Sequence, residues 1–402
     1  MLHKSERNIS ILGFSEDVRK RIPGYSQSIS DKEVLDICKD IVLSDLSTQI
    51  LDVRKCETII RQVFCTLRCE LEILQDIADD KNVTEIMVNG PRDIFVEKNG
   101  KIQRANIEFE NQTQLERVIQ RLAARVGREI NDLNPIVDAR LSDGSRINAV
   151  NSNIAIGGPI LTIRKFNKSR MTMDDLIKQG DITLEAASFV EKIVKSSYNI
   201  FVSGGTSSGK TTFLNILSDF IPRDERVIVI EDSAELQIRA HENLVRMEAK
   251  SANAQGRGEV TIRDLIKSSL RMRPDRVIVG EVRGIEVIDM IAAMSTGHDG
   301  SLSTGHSNSA KGMIRRLETM YLSESNYPID AVRGQISEAL EFIIHLQRDN
   351  DGHRHIVEIA EFLGYQNGEP VLNEIFTYEK GKGLISTGNQ VKRNDKLLRL
   401  YS

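Results

Sequence analysis

The chain has 402 residues, 40% of them hydrophobic and 28% charged, a composition that fits a globular protein with more than one core and excludes wholesale disorder. Its 54 basic and 58 acidic residues leave a formal charge of −4, so there is no general electrostatic pull toward nucleic acid. No run approaches the roughly eighteen apolar residues of a membrane span, and the N-terminal MLHKSERNISILG lacks a signal-peptide core, so a cytoplasmic location is expected.

Residues 1 to about 30 show little periodicity and several breaks, and are expected to form a mobile leader. Two helical stripes follow, the first at Leu35, Cys38, Ile41 and Val42. The second, from Ile59 to Ile77, places Cys65 and Cys69 four apart on one helix. Two thiols on a shared apolar face fit this spacing better than a zinc site, and all four cysteines are expected to be reduced. From Val83 the period changes to two. Strands at Glu85–Val88 and Ile94–Val96 and near Ile102 turn at Asn99-Gly100, and a second hairpin, Ile136–Leu141 and Arg146–Val150, turns at Ser142-Asp143-Gly144. A helix from Leu115 to Val126 and a strand from Ile160 to Phe166 complete a small α+β domain, 71–166, preceded by the leader and helical extension, 1–70. A short polar hinge is expected at 167–172, and a P-loop domain over 173–402.

Within that last region, helices near Met173–Gln179 and Leu184–Ser196 lead into an apolar strand, Ile200-Phe201-Val202. Further apolar runs at Val227–Ile230, Val277–Val279 and Leu302–Thr304 alternate with helices near Thr261–Met272 and Ile285–Ser295, as in a parallel sheet with helices on both faces. After Pro328, one helix and the runs Phe342–Leu346, Ile356–Phe362 and Leu372–Tyr378 suggest an appended helix and antiparallel strands. The last twenty residues are too polar to place.

The stretch NIFVSGGTSSGKTTFLNILSD, 199–219, organises this region. Gly204-x-x-x-x-Gly209-Lys210-Thr211 matches the phosphate-binding loop, in which backbone N–H groups and a helix N-terminus cradle an anion. Gly204, Gly205, Thr206, Ser207, Ser208, Gly209, Lys210, Thr211 and Thr212 are therefore the candidate ATP-binding residues, with Lys210 on the β- and γ-phosphates and the Thr211 hydroxyl on Mg²⁺. Two strands end in acids, Val227–Ile230 in Glu231 and Val277–Gly280 in Glu281. Strand C-termini are where ligands sit in an open parallel sheet, and both carboxylates are candidate Mg²⁺ ligands, with Glu281 placed to orient or deprotonate water. Of the two histidines in Thr296–Asn308, His306 is the better γ-phosphate contact and His298 the weaker. His353 and His355 read as a solvated hairpin edge. Arg140, Arg146 and Arg164 are either arginine fingers or ordinary surface residues.

The order of P-loop, acidic box, strand-Gly-Glu and histidine box behind a small α+β domain resembles the secretion-superfamily ATPases of type II secretion, type IV pili and type IV secretion, and within them the CpaF-type ATPases of Tad/Flp pilus assembly. The stretches that carry the resemblance are VTEIMVNGP (83–91), VDARLSDGSRINAV (137–150), LTIRKF (161–166), VSGGTSSGKTT (202–212), IEDSAELQ (230–237), LRMRPDRVIVGEVRG (270–284) and TGHDGSLSTGHSNS (296–309). It implies an α/β fold, with a RecA-like P-loop domain preceded by a small α+β, PAS-like domain and an N-terminal helical extension. It also implies Glu231 and Glu235 in the acidic box, Glu281 as the catalytic glutamate, His298 and His306 in the histidine box, and Arg140, Arg146 and Arg164 approaching the nucleotide. Family members are hexameric rings on the cytoplasmic face of an inner-membrane platform protein, so a homo-hexamer, peripheral to the membrane through that partner, is implied here. Two positions depart from the family pattern. Ser208 stands where the P-loop often has the Ser-Gly order reversed, and Gly305 replaces a bulky apolar residue, which is expected to loosen the strand end before His306.

The competing function class is a P-loop nucleic-acid motor such as a DNA translocase, since RecA-like rings also move DNA. The mildly acidic charge, the absence of Trp and the lack of an interleaved basic and aromatic stretch stand against it, and no nucleic-acid partner is expected. A nucleotide switch without turnover would lack a water-orienting acid, and Glu281 argues against that.

Overall fold

The computed structural model describes residues 9–22, 29–166, 170–238, 241–250, 252, 257–323, 325–349 and 351–399. The chain divides into two compact units, Met1–Asn167 and Lys168–Ser402. The first three residues of the expected hinge at 167–172 lie outside the described residues.

The first unit opens with α1 (Ile11–Arg21), α2 (Asp31–Ser44) and α3 (Val53–Arg68). Each has a side-chain cap on its N-terminal amides, from Ser10, Ser30 and Asp52 respectively, and Ser30 with Glu33 forms a reciprocal capping box. The expectation of a mobile leader is corrected over 11–21. Phe14 and Val18 of α1 are buried with Val34, Cys38 and Val42 of α2 and with Val63 and Phe64 of α3 in one apolar cluster. The single long stripe 59–77 is also broken. α3 stops at Arg68 with Cys69 as its extended cap, so Cys65 and Cys69 do not share a continuous helix. A one-turn 3₁₀ segment, Glu72–Leu74, then leads into α4 (Gln75–Asp79). The cause is tertiary: buried Glu72, at φ 48°, takes hydrogen bonds from Gln114 (3.0 Å) and Arg121 of the helix α5 (Gln112–Arg125). All four cysteines are unpaired, and burial pushes the Cys38 thiol up to about 11.

Strands β1 (Val83–Asn89), β2 (Ile94–Lys98), β3 (Lys101–Arg104), β4 (Ile136–Arg140), β5 (Arg146–Val150) and β6 (Ile160–Arg164) form a six-stranded antiparallel sheet in the order β3-β2-β1-β6-β5-β4. Their alternation puts Ile86, Val88, Val96, Ile147, Leu161 and Ile163 on one face against Leu115, Val118 and Leu122 of α5. The other face carries a lateral row, because Arg140 pairs with Arg146 and Arg146 with Arg164. One strand further on, Arg164 pairs with Glu85.

The second unit runs α6 (Met173–Gln179), α7 (Leu184–Lys195), β7 (Ile200–Gly204), α8 (Lys210–Ser218), β8 (Val227–Glu231), β9 (Leu244–Glu248), α9 (Ile262–Ser269), β10 (Arg276–Val279), α10 (Glu286–Ser295), β11 (Leu302–His306), α11 (Ala310–Ser323), α12 (Ile329–Ala339), β12 (Phe342–Arg348), β13 (Arg354–Gln366), β14 (Glu369–Glu379), β15 (Gly383–Ser386) and α13 (Asp395–Arg399). Its nine strands lie in the order β15-β14-β13-β12-β7-β11-β10-β8-β9. The six from β12 to β9 are parallel. This corrects the expected appended antiparallel block, for β12 extends the parallel sheet beside β7 and only β13–β15 run antiparallel. Apolar side chains pack on both faces. Val190 and Ile193 of α7 and Phe213, Leu214 and Leu217 of α8 share one core, and Val287, Met290, Met313, Leu317 and Ile336 of α10–α12 the other. Among the described residues no helix is long and apolar enough to cross a membrane.

Candidate nucleotide site

Every strand of the parallel core ends on the same side, and the chemistry gathers there. β7 ends at Gly204, where a Cβ would lie 2.5 Å from both the Leu346 carbonyl oxygen and Ser208 Oγ, so only glycine fits beside β12. Gly209, at φ 95°, caps α8 and turns the loop into the helix. Ser208 Oγ closes the loop on the Gly205 carbonyl at 2.9 Å. The loop amides and the start of α8 form an anion cradle, with the side chain of Thr211 half-buried beside it.

Lys210 is buried and its ammonium spans the loop, donating to the carbonyls of Gly204 (3.1 Å) and Gly205 (2.8 Å). It also lies 3.2 Å from Nδ1 of His306, which β11 carries to its C-terminal end in register with Gly204. An ammonium can only donate, so Nδ1 accepts and the ring proton sits on Nε2. Nε2 lies 3.0 Å from Glu281 Oε1, and Arg283 donates to the other carboxylate oxygen at 2.8 Å. Lys210, His306 and Glu281 thus lie in one line of polar contacts, with Lys210 against one ring nitrogen and the carboxylate 3.0 Å from the other. Burial, then the Lys210 charge, hold the His306 pKa below its ordinary value, so the ring is neutral at neutral pH.

Glu281 is placed by β10 and the residues around it. Gly280 N donates to the Ile230 carbonyl, Thr304 Oγ1 donates to the Gly280 carbonyl at 2.8 Å, and Val282 N returns to the Thr304 carbonyl. Glu231, at the end of β8, is buried, and burial raises its pKa. Its Oε1 accepts from the backbone N–H groups of Glu235 (2.8 Å) and Leu236 (2.7 Å), and Arg246 lies 3.3 Å from Oε2. The carboxylate therefore folds the acidic loop 231–236 back on itself, and Gln237 N fixes that loop to Asn215 of α8 at 2.7 Å.

The structure brings together Gly204–Lys210, Glu281 and His306. It does not bring in His298, which precedes the opposite end of β11 and whose carbonyl accepts from Ser301 Oγ. Gly305 is not a loose point, since a Cβ there would meet Met313 Cε at 2.5 Å and Sδ at 2.8 Å, so the methionine fills the space of the missing side chain. In the first unit, Arg140 reaches the Gly144 carbonyl at 3.4 Å and lies 5.9 Å from the Phe166 ring centroid.

Several residues of the site were not singled out in the sequence, among them Arg283 inside the stretch 270–284 and others outside every quoted stretch. His345 of β12 is buried and bonds Ser203 Oγ through Nδ1 at 2.8 Å, and burial drives its pKa down to about 4. Arg283 holds Glu281 and Arg246 holds Glu231, while Arg354 Nε donates to the Ser207 carbonyl at 2.9 Å. Arg315 and Arg316 of α11 join Gly205, Thr206, Arg283 and His306 in lining an open cleft of about 730 Å³. The apolar period Met313, Ile314, Leu317, Met320, Tyr321 would have revealed α11 in the sequence.

Residues 69–380 match the family described as Type II/IV secretion system protein. The chain is 36% identical over 294 residues to a putative conjugal transfer protein of Mycobacterium tuberculosis, covering 72% of this chain and 83% of that one. It is 32% identical over 321 residues to the type IV secretion system protein VirB11 of Brucella suis, with 72% and 88% covered. Among solved structures it resembles the ATPase DotB of Legionella pneumophila, at TM-score 0.51 and 20% identity over 71% of this chain and 78% of that one. The pilus retraction motor PilT with bound ADP also has TM-score 0.51, at 21% identity, with 82% and 88% covered. An anion cradle, a lysine-histidine-glutamate chain and a match to most of the sequence converge, and the chain belongs to the type II/IV secretion system family of ATPases.

Proposed function

We propose that this chain hydrolyses Mg²⁺-ATP and, as one subunit of a homo-hexameric ring, powers Tad-type (CpaF-like) pilus assembly or secretion from the cytoplasmic face of the membrane, held there by an inner-membrane platform protein. The observation that carries the reading is the Lys210–His306–Glu281 chain at the mouth of the phosphate cradle. Lys210 compensates phosphate charge, and the Gly204–Thr212 loop donates backbone N–H groups. Glu281 takes the proton from the attacking water, and His306, 3.0 Å from that carboxylate, lies between it and the group that contacts the γ-phosphate.

The donors fit Mg²⁺, a hard ion that takes oxygen ligands, at the Thr211 hydroxyl and at Glu281, whose buried Oε1 has no hydrogen-bond partner among the described residues. An ion held by these residues would supply positive charge to offset that of the phosphates. Glu231 was expected as a further ligand, but its oxygens already meet two backbone amides and Arg246, so we give it the role of shaping the acidic loop. Arg140, Arg146 and Arg164 are assigned as charge-compensating arginines on the family resemblance, and their cross-strand register sets them in one row on the sheet. The secretion and conjugal transfer relatives do not favour the DNA-translocase alternative. Sedimentation with and without a non-hydrolysable ATP analogue tests the ring. A sixfold mass with nucleotide supports it, and a strictly monomeric, fully active chain contradicts it.

A further inference from the structure

We infer that the β12–β13 hairpin carries a binding site for a divalent transition-metal ion such as Zn²⁺, formed by Asp349, His353 and His355. Each offers one ligand atom, and the three atoms lie within 4.8 Å of one another. The sequence spacing suggests a solvated edge here, but His355 is 5% exposed. The backbone explains the convergence. Residues two apart in an extended segment share a face, which sets His353 and His355 side by side, their ring centroids 5.7 Å apart. Asp349 N donates to the His353 carbonyl at 2.8 Å, closing the turn and bringing the aspartate to the same face.

Two further observations point to a ligand. The Nδ1 of buried His355 has no hydrogen-bond partner among the described residues, and the nearest carboxylate oxygen, of Asp349, is 3.6 Å away. A buried imidazole nitrogen without a partner is costly, and a metal ion at that point satisfies it. The second carboxylate is Asp181, itself buried, with Oδ1 3.2 Å from His353 Nε2. Two carboxylates match the charge of a divalent ion, and a carboxylate on the far side of a ligating histidine is the usual support for a metal. Two imidazoles and one oxygen suit Zn²⁺, Co²⁺ or Ni²⁺ and disfavour Mg²⁺, so this site is chemically separate from the nucleotide site. Zinc bonds of about 2.0–2.1 Å require the three ligand atoms to draw in by roughly an ångström, a movement open to a hairpin turn.

The position gives the site a consequence. Arg354, between the two histidines, donates to the Ser207 carbonyl of the P-loop. An ion held by Asp349, His353 and His355 therefore also restrains Arg354 on the loop that cradles phosphate.

The test is a Co²⁺ titration of the full chain without nucleotide, followed by visible d–d absorption and Zn²⁺ displacement. The inference predicts one equivalent bound with absorption of a nitrogen-containing site, and at least a tenfold loss of affinity in His353→Ala and in Asp349→Asn. The side chains of His353 and Asp349 are 48% and 42% exposed, so both variants keep the fold, which unchanged metal-free melting confirms. Asp181→Asn weakens binding less than either. Absence of d–d absorption in the parent chain, or equal Co²⁺ affinity in all three variants, overturns the site.

Discussion

Replacing Glu281 by Gln separates nucleotide binding from chemistry. The amide keeps the size of the side chain, and its oxygen can face His306 Nε2, where the carboxylate now lies at 3.0 Å. On the other side the amide N–H₂ would face Arg283, but the Arg283 side chain is 58% exposed and can turn away, so the cost in stability is about 1 kcal/mol or less. Lys210, Thr211 and the loop amides are untouched, and the amide keeps one oxygen that can face Mg²⁺, so ATP binding is retained to within a small factor. The base, however, is gone. General-base loss typically costs about 10²–10⁴ in rate, or roughly 3–5 kcal/mol of barrier, so kcat should fall by that factor while the ATP Kd stays within about threefold. Without the Glu281 charge, which raises the His306 pKa, that ring should titrate still lower. Single-turnover hydrolysis beside equilibrium binding of a fluorescent ATP analogue measures both quantities. A kcat within threefold of the parent, or a Kd weakened as much as the rate, would refute the assignment.

Arg146→Ala, at the centre of the arginine row, should lower kcat by about 10³ with ATP affinity retained, and steady-state kinetics with a binding isotherm would show an unchanged rate if the residue is only a surface arginine. Gly305→Val drives a side chain into Met313 and should cost about 1–3 kcal/mol in chemical denaturation; adding Met313→Ala should recover part of it, and additive losses would refute the contact. Burial, then Glu374, push the Glu358 carboxyl up to about 7. Its folded pKa is raised, so the stability it confers is full below the unfolded value of 4.5 and is lost as pH rises through about 7. Glu358→Gln should therefore gain on the parent by up to about 3 kcal/mol between pH 5 and pH 8, and a pH-independent difference in urea unfolding would contradict this.

The strand ends were legible because an apolar run followed by Gly-Glu or by a glycine-rich loop carries both its burial and its boundary within a few residues. Gly204, Lys210, Glu281 and His306 were found that way. Hairpin chemistry worked for the same reason, and Asn99 and Gly100 take φ 51° and 74° in the turn their order predicts. What stayed hidden depends on partners far apart in the chain. His345 meets Ser203 across 142 residues, and Arg354 meets Ser207 across 147. The helix break at Cys69 belongs to this class too, since Gln114 and Arg121 hold Glu72 in a backbone conformation its own segment does not favour. His298, the weaker candidate in the sequence, is the converse case. It lies close to His306 in sequence, but a five-residue strand separates the two along the sheet.

The most direct test is steady-state ATP hydrolysis by the full chain in Mg²⁺ beside Lys210→Ala. The account predicts turnover that depends on Mg²⁺ and is lost in the variant, which removes the one ammonium spanning the Gly204 and Gly205 carbonyls and His306. Equal turnover in the parent and the variant, or turnover indifferent to Mg²⁺, would contradict it.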